Sequence, residues 1–201
     1  MEILRTTLWD NISKYNGKVI LLEGSRDITV IDYKKLVVVG RSLALVLPGS
    51  IFRSGNAPGS DEAFIKGVGM VEGSHIELIL PFADHRKQNI PPSNSRNISL
   101  EDLSAEELNE IKRIGSKANP DRSSLLNHYQ PEAKSIPNIK ASYLLRDVLK
   151  VTGSLSNGFL PCSVGIFYLN PKKPQKGGTA FTIAVAKYMG IETYTHDEYI
   201  E

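Results

Sequence analysis

Apolar residues in this chain fall in short blocks separated by glycine, proline and polar loops. Val19-Ile20-Leu21-Leu22 is an unbroken apolar run ending in Glu23-Gly24-Ser25-Arg26, which predicts a buried strand and a tight turn. Residues 32–47 contain Val37, Val38 and Val39, yet Leu36, Val39, Leu43 and Leu47 recur at helical spacing. The stretch is long for a strand, so a helix is predicted, closed by Pro48-Gly49. Ser50 to Arg53 reads as a second strand, followed by a helix from about Asp61 to Val71 with Ser60 as N-cap. His75 to Phe82 alternates and then turns apolar, a third strand.

Residues 84–135 are more polar and carry Pro91, Pro92, Pro120 and Pro131 as breakers. They read as an insertion holding one helix, about 100–115, capped by Ser99 or Ser104. A further helix is expected at 138–151, a fourth core strand at Val164–Leu169, and a helix opened by Gly177-Gly178-Thr179 and closed by Gly190. Ile191 to Tyr194 is the last strand. Strands and helices joined by short links in this alternation predict an α/β, Rossmann-like three-layer domain. Its sheet would be mostly parallel and its insertion polar and partly helical, in one domain over 1–201.

Composition is ordinary for a globular domain of 201 residues: 41% hydrophobic, 23% charged and a net charge of +2. That charge and a 7% aromatic content argue against a nucleic-acid groove. One cysteine, Cys162, allows no internal disulfide and no cysteine metal cage; its position before a core strand suggests burial. Four dispersed histidines, His75, His85, His128 and His196, show no metal spacing, so no metal or cofactor is expected. The first residues, Met1 to Arg5, do not read as a signal peptide, and no run of about 18 apolar residues suggests a membrane span. A cytoplasmic setting is expected.

Three glycine-rich loops fall at strand ends: Gly24-Ser25-Arg26, Ser54 to Asp61, and Lys176-Gly177-Gly178-Thr179. In an open parallel sheet, ligands sit outside the carboxyl ends of the strands. The last two loops open into helices, whose free N–H groups suit a phosphate, and glycine lets a ligand approach the backbone. Ser54 and Thr179 would add hydroxyls and Arg26 a guanidinium. Asp61 reads equally as a helix-start acid or a ribose acceptor; Glu62 reads as the former. Asp84-His85-Arg86 ends the third strand near this edge. Lys172, Lys173 and Lys176 flank the glycine pair. Arg146-Asp147 reads as a solvated charged pair.

These residues resemble the SLOG superfamily, which joins the DNA-processing protein A family with the Lonely Guy phosphoribohydrolases and includes small bacterial and phage proteins. The run Arg53-Ser54-Gly55-Asn56-Ala57-Pro58-Gly59-Ser60-Asp61 is similar to the family pattern Ser-Gly-Gly-Ala-x-Gly-x-Asp, with Asn56 in place of the second glycine. The resemblance spans about 19–195. It implies a binder of nucleotides or nucleotide derivatives, often a homodimer, acting as a sensor, carrier or sequestering protein. The ligand residues it implies are Gly24, Ser25, Arg26, Ser54, Gly55, Asn56, Ala57, Gly59, Asp61, Arg146, Gly177, Gly178 and Thr179. The Lonely Guy pattern Pro-Gly-Gly-x-Gly-Thr-x-x-Glu meets Lys176 and Ala184 here, so its catalytic glutamate is missing. A nucleotide N-glycosidase would then need Asp61 as acid/base. A single-stranded DNA-binding mediator is the other alternative.

Overall fold

The structure is a computed structural model that describes residues 8–89, 94–170, 172, 174 and 176–200. The readings that fall on Met1 to Arg5, Pro91, Pro92 and Lys173 lie outside the described residues. In chain order the regular elements are α1 (Leu8–Asn11), β1 (Val19–Gly24), α2 (Val30–Val46), β2 (Ile51–Ser54), α3 (Ser60–Val68), β3 (His75–Leu80) and β4 (Ser95–Ser99). After these come α4 (Ala105–Ala118), α5 (Ser123–Asn127), α6 (Ile136–Thr152), β5 (Val164–Tyr168), α7 (Gly177–Tyr188) and β6 (Glu192–Thr195).

The six strands form one sheet in the order β4-β3-β2-β1-β5-β6, with every described pairing parallel. The chain winds outward from β1 to β4, then returns to the other side of β1 to continue as β5 and β6. Side chains alternate across each strand and feed two cores. Ile20, Leu22, Val164 and Ile166 pack beneath α1, α2 and α3, while Val19, Leu21 and Phe167 pack beneath α4, α6 and α7. This is the expected three-layer α/β arrangement.

The structure revises the predicted insertion. Ser95 to Ser99 pairs with β3 as a parallel edge strand, and α4 adds Ile111 and Ile114 to the second core. Of the five residues in β4 only Ile98 is apolar, so no hydrophobic run marks it. Its ladder and one cross-strand charge pair hold it instead. Glu77 on β3 lies opposite both Arg53 on β2 and Arg96 on β4, and its carboxylate takes both guanidinium groups. Arg53 is fully buried and also donates to Lys150 O at 3.1 Å and Leu160 O at 2.6 Å. Those bonds tie the end of α6 to the sheet.

Helix caps follow the sequence with two adjustments. Ser104 caps α4 in a reciprocal capping box with Glu107, while Ser99 caps only a short 3-10 turn. The N-cap of α3 is Gly59 at φ 85°, not Ser60, which is the first helical residue. Helices α2 and α3 touch through glycines. A Cβ on Gly40 would lie 2.2 Å from Phe64 O, and one on Gly67 would lie 2.0 Å from Val37 O. Gly67→Ala is therefore expected to destabilise by about 2 kcal/mol through overpacking, although alanine is the better helix former by about 1 kcal/mol. Urea unfolding reads the effect; equal or higher stability would mean the helices separate at no cost.

Candidate functional site

The winding reverses between β1 and β5, which leaves a crevice at the carboxyl ends of those strands. A cavity of about 550 Å³ occupies it. Its walls include Glu23 to Asp27 at the end of β1 and the loop after it, Lys176 to Thr179 at the start of α7, and the inner side of α6 around Tyr143, Leu144, Arg146 and Asp147. Its size suits a small organic ligand.

The β2–α3 loop is built around Asp61. Its Oδ1 accepts from Gly24 N at 3.1 Å, and its Oδ2 accepts from Gly55 N at 3.1 Å and Ala57 N at 3.4 Å. One carboxylate thus fastens the β1 loop to the β2 loop. Ser60 adds a second link, its N and Oγ both donating to Ser25 O. Close approach explains two glycines: a Cβ on Gly24 would sit 2.5 Å from Tyr168 O, and one on Gly55 would sit 2.7 Å from Arg146 Nη1. Asn56 adopts φ 52° and its side chain donates to the carbonyls of His85 and Arg86. Asparagine tolerates that left-handed backbone better than most residues, which accounts for its stand-in for glycine.

The cavity floor is ionic. Glu23, the penultimate residue of β1, accepts from Thr182 Oγ1 at 2.9 Å and pairs with Lys150 Nζ at 2.5 Å. Lys150 also pairs with Asp147 Oδ1 at 2.8 Å, and the same oxygen takes Arg146 Nη2 at 2.7 Å. Arg146 Nη1 reaches Gly55 O at 2.8 Å. Burial pushes the Glu23 carboxyl up to about 7, with Lys150 holding it back and Asp147 and Asp61 adding to the rise. Burial also opposes the charge on Asp147, but Lys150 and Arg146 outweigh it and keep that carboxyl below the usual range.

The rim is basic. Arg26, Arg122, Lys140 and Lys176 are exposed around the mouth, against Asp27 as the exposed rim acid. The half-buried Tyr143 ring forms one wall, with Arg26 Cζ at 5.1 Å and Arg146 Cζ at 5.5 Å from its centroid. His85 stacks edge-on against the same ring at 5.7 Å. Its imidazole is lowered to about 4, by burial first and then by Arg146, Arg86 and Arg26, so it is neutral near pH 7.

Of the residues expected at the ligand, Gly24, Ser25, Arg26, Ala57, Asp61, Arg146, Gly177, Gly178 and Thr179 line the cavity. Ser54, Gly55, Asn56 and Gly59 do not; they shape the loop behind it. Ser54 is fully buried, so its hydroxyl does not face a ligand. The acid/base role expected for Asp61 does not fit its surroundings, because it is 1% exposed and both oxygens face backbone N–H groups. Arg146-Asp147 is not a solvated pair: the two side chains are 4% and 2% exposed, and Arg146 spends its guanidinium on Gly55 and Asp147. Asp84, His85 and Arg86 lie outside the cavity lining, Arg86 pairing with Glu62 at 2.7 Å. Cys162 is buried, with its thiol pushed up to about 12 by desolvation.

Sequence reading missed Glu23, Lys140, Tyr143 and Asp147. The position of Glu23 directly before Gly24, at the end of an apolar strand, was the one available signal for it. Among the described residues no group of three or more His, Cys, Asp or Glu could hold a metal ion, and no helix is long and apolar enough to cross a membrane. Comparison with family models, curated proteins and solved structures finds no match.

Proposed function

We propose that this chain binds a nucleotide or nucleotide-derived small molecule in the crevice between β1 and β5, as a sensor, carrier or sequestering protein. The observation that carries the reading is the coincidence of a 550 Å³ cavity, the start of α7 and a basic rim at the point where the winding of the sheet reverses. At the start of α7, Gly177 and Gly178 are exposed and the N-cap Lys176 makes no side-chain cap bond. The first-turn N–H groups there have no partner from within the helix, and they carry the positive end of its dipole. Lys176 and Arg26 add charge to the same mouth. Tyr143 and Leu144 offer a flat, partly apolar wall for a base.

Calorimetric titration of the folded protein with nucleoside monophosphates, ADP-ribose and cyclic nucleotides tests this directly. At least one member is expected to bind, with affinity falling as salt rises. Arg26→Ala is expected to weaken that binding by about tenfold, the worth of one charge-assisted hydrogen bond. A flat trace across the panel overturns the reading.

A further inference from the structure

The cavity floor holds one acid more than it can neutralise. Glu23, Asp61 and Asp147 face Lys150 and Arg146, and all five side chains are nine-tenths or more buried. Asp61 gives both oxygens to backbone N–H groups of the two loops. Asp147 places Oδ1 on both cations, and Oδ2 lies where a Cβ on Gly178 would come within 2.9 Å. Glu23 lines the cavity with acceptor capacity left. A carboxylate has about four acceptor positions, and Glu23 meets one hydroxyl and one ammonium.

Glu23 also stands at a defined distance from the anion-binding end. Its partner Thr182 lies one helical turn after Gly178, whose carbonyl the same hydroxyl approaches at 3.1 Å. A turn rises about 5.4 Å. That is the reach of a sugar ring attached to a phosphate seated at the first turn of α7, and it falls short of a base, which would extend to the Tyr143 wall.

We propose that Glu23 is the sugar-reading residue of this site: its carboxylate accepts a hydrogen bond from the ribose 2-hydroxyl and so selects ribose over 2-deoxyribose ligands. The assignment rests on the nucleotide-binding reading. It explains why an otherwise apolar strand carries, next to its last residue, a glutamate facing Lys150 and Asp147 of α6, Thr182 of α7 and, more distantly, Arg146 and Asp61. A hydroxyl donor adds no charge to the floor and favours the ionised carboxyl. Glu23 is poised near 7 without ligand, so ribose binding at pH 7 expels part of a proton.

The test uses the full chain with inorganic phosphate, ribose 5-phosphate and 2-deoxyribose 5-phosphate, titrated calorimetrically at pH 7 in buffers of different ionisation enthalpy. Wild type is expected to bind the ribose form about 10-fold to 100-fold more tightly than the deoxy form. Proton release with ribose 5-phosphate should exceed that of Glu23→Gln with the same compound, a comparison in which the phosphate's own titration cancels. In Glu23→Gln the preference should shrink to about threefold or less. Equal affinity of wild type for the two sugars overturns the proposal without any variant, as does full discrimination in Glu23→Gln. Binding of inorganic phosphate without sugar discrimination removes only the role of Glu23. If none of the three binds folded wild type, the proposal fails; the nucleotide reading fails with it only if the nucleotide panel is also silent.

Discussion

Lys150→Met is expected to lower the unfolding free energy by about 3–5 kcal/mol, the cost of leaving a buried charge without its partner. The ammonium is fully buried, 2.5 Å from Glu23 Oε2 and 2.8 Å from Asp147 Oδ1. Methionine preserves most of the volume, so the loss reports electrostatics more than packing. The sign with pH is fixed by Glu23. Its folded carboxyl titrates near 7, above the ordinary value of 4.5, so the folded state holds that proton more tightly than the unfolded chain. The stabilisation linked to it is complete below about 4.5 and fades as pH rises towards 7. Without Lys150 the penalty is greatest where Glu23 is ionised, so the deficit should be larger at pH 8 than at pH 5. Adding Glu23→Gln removes one stranded anion and should recover part of the loss at pH 8. Urea denaturation at both pH values measures this. A deficit under about 1 kcal/mol at pH 8 would mean that water reaches the cluster and the ion pairs contribute little.

Asp61→Asn should cost about 3 kcal/mol and loosen two loops at once. The carboxylate satisfies Gly24 N, Gly55 N and Ala57 N with its two oxygens. Asparagine keeps one oxygen and turns an NH₂ group towards N–H donors, which leaves buried donors facing each other. Amide hydrogen exchange at Gly24, Gly55 and Ala57 should rise together, along with the drop in stability. Unchanged exchange at these three amides would show that the loops hold their shape without Asp61. This outcome also separates a scaffolding role from an acid/base one, since an acid/base residue could be replaced isosterically with little effect on folding.

Both predictions concern charges whose surroundings were not legible in the sequence. Arg146-Asp147 in a helix reads as a surface pair because charged residues usually are. Here α6 turns them inward, where Gly55 O accepts from Arg146 and Lys150 pairs with Asp147. Arg53 reads in the sequence as the end of a short strand and the head of the following loop, yet it is one of the largest fully buried side chains among the described residues. Each partner lies far along the chain, so no local pattern announces the pairing.

What the sequence by itself determined is the part governed by near neighbours. Short segments at 19–22, 50–53, 75–82, 164–169 and 191–194 read as the strands β1, β2, β3, β5 and β6, and helical patterns mark α2, α4, α6 and α7. Glycines that permit tight turns mark the loops that converge on one edge, because backbone freedom is a property of the residue itself. Tertiary structure alone decided the rest. The polar strand β4 exists because β3 offers it a ladder and Glu77 offers Arg96 a partner. The ionic floor exists because α6 and α7 close over the end of β1 and exclude water from charges that would otherwise be solvated. Hydrophobic periodicity is read along the chain, whereas the environment of a charge is set by whatever the fold packs against it.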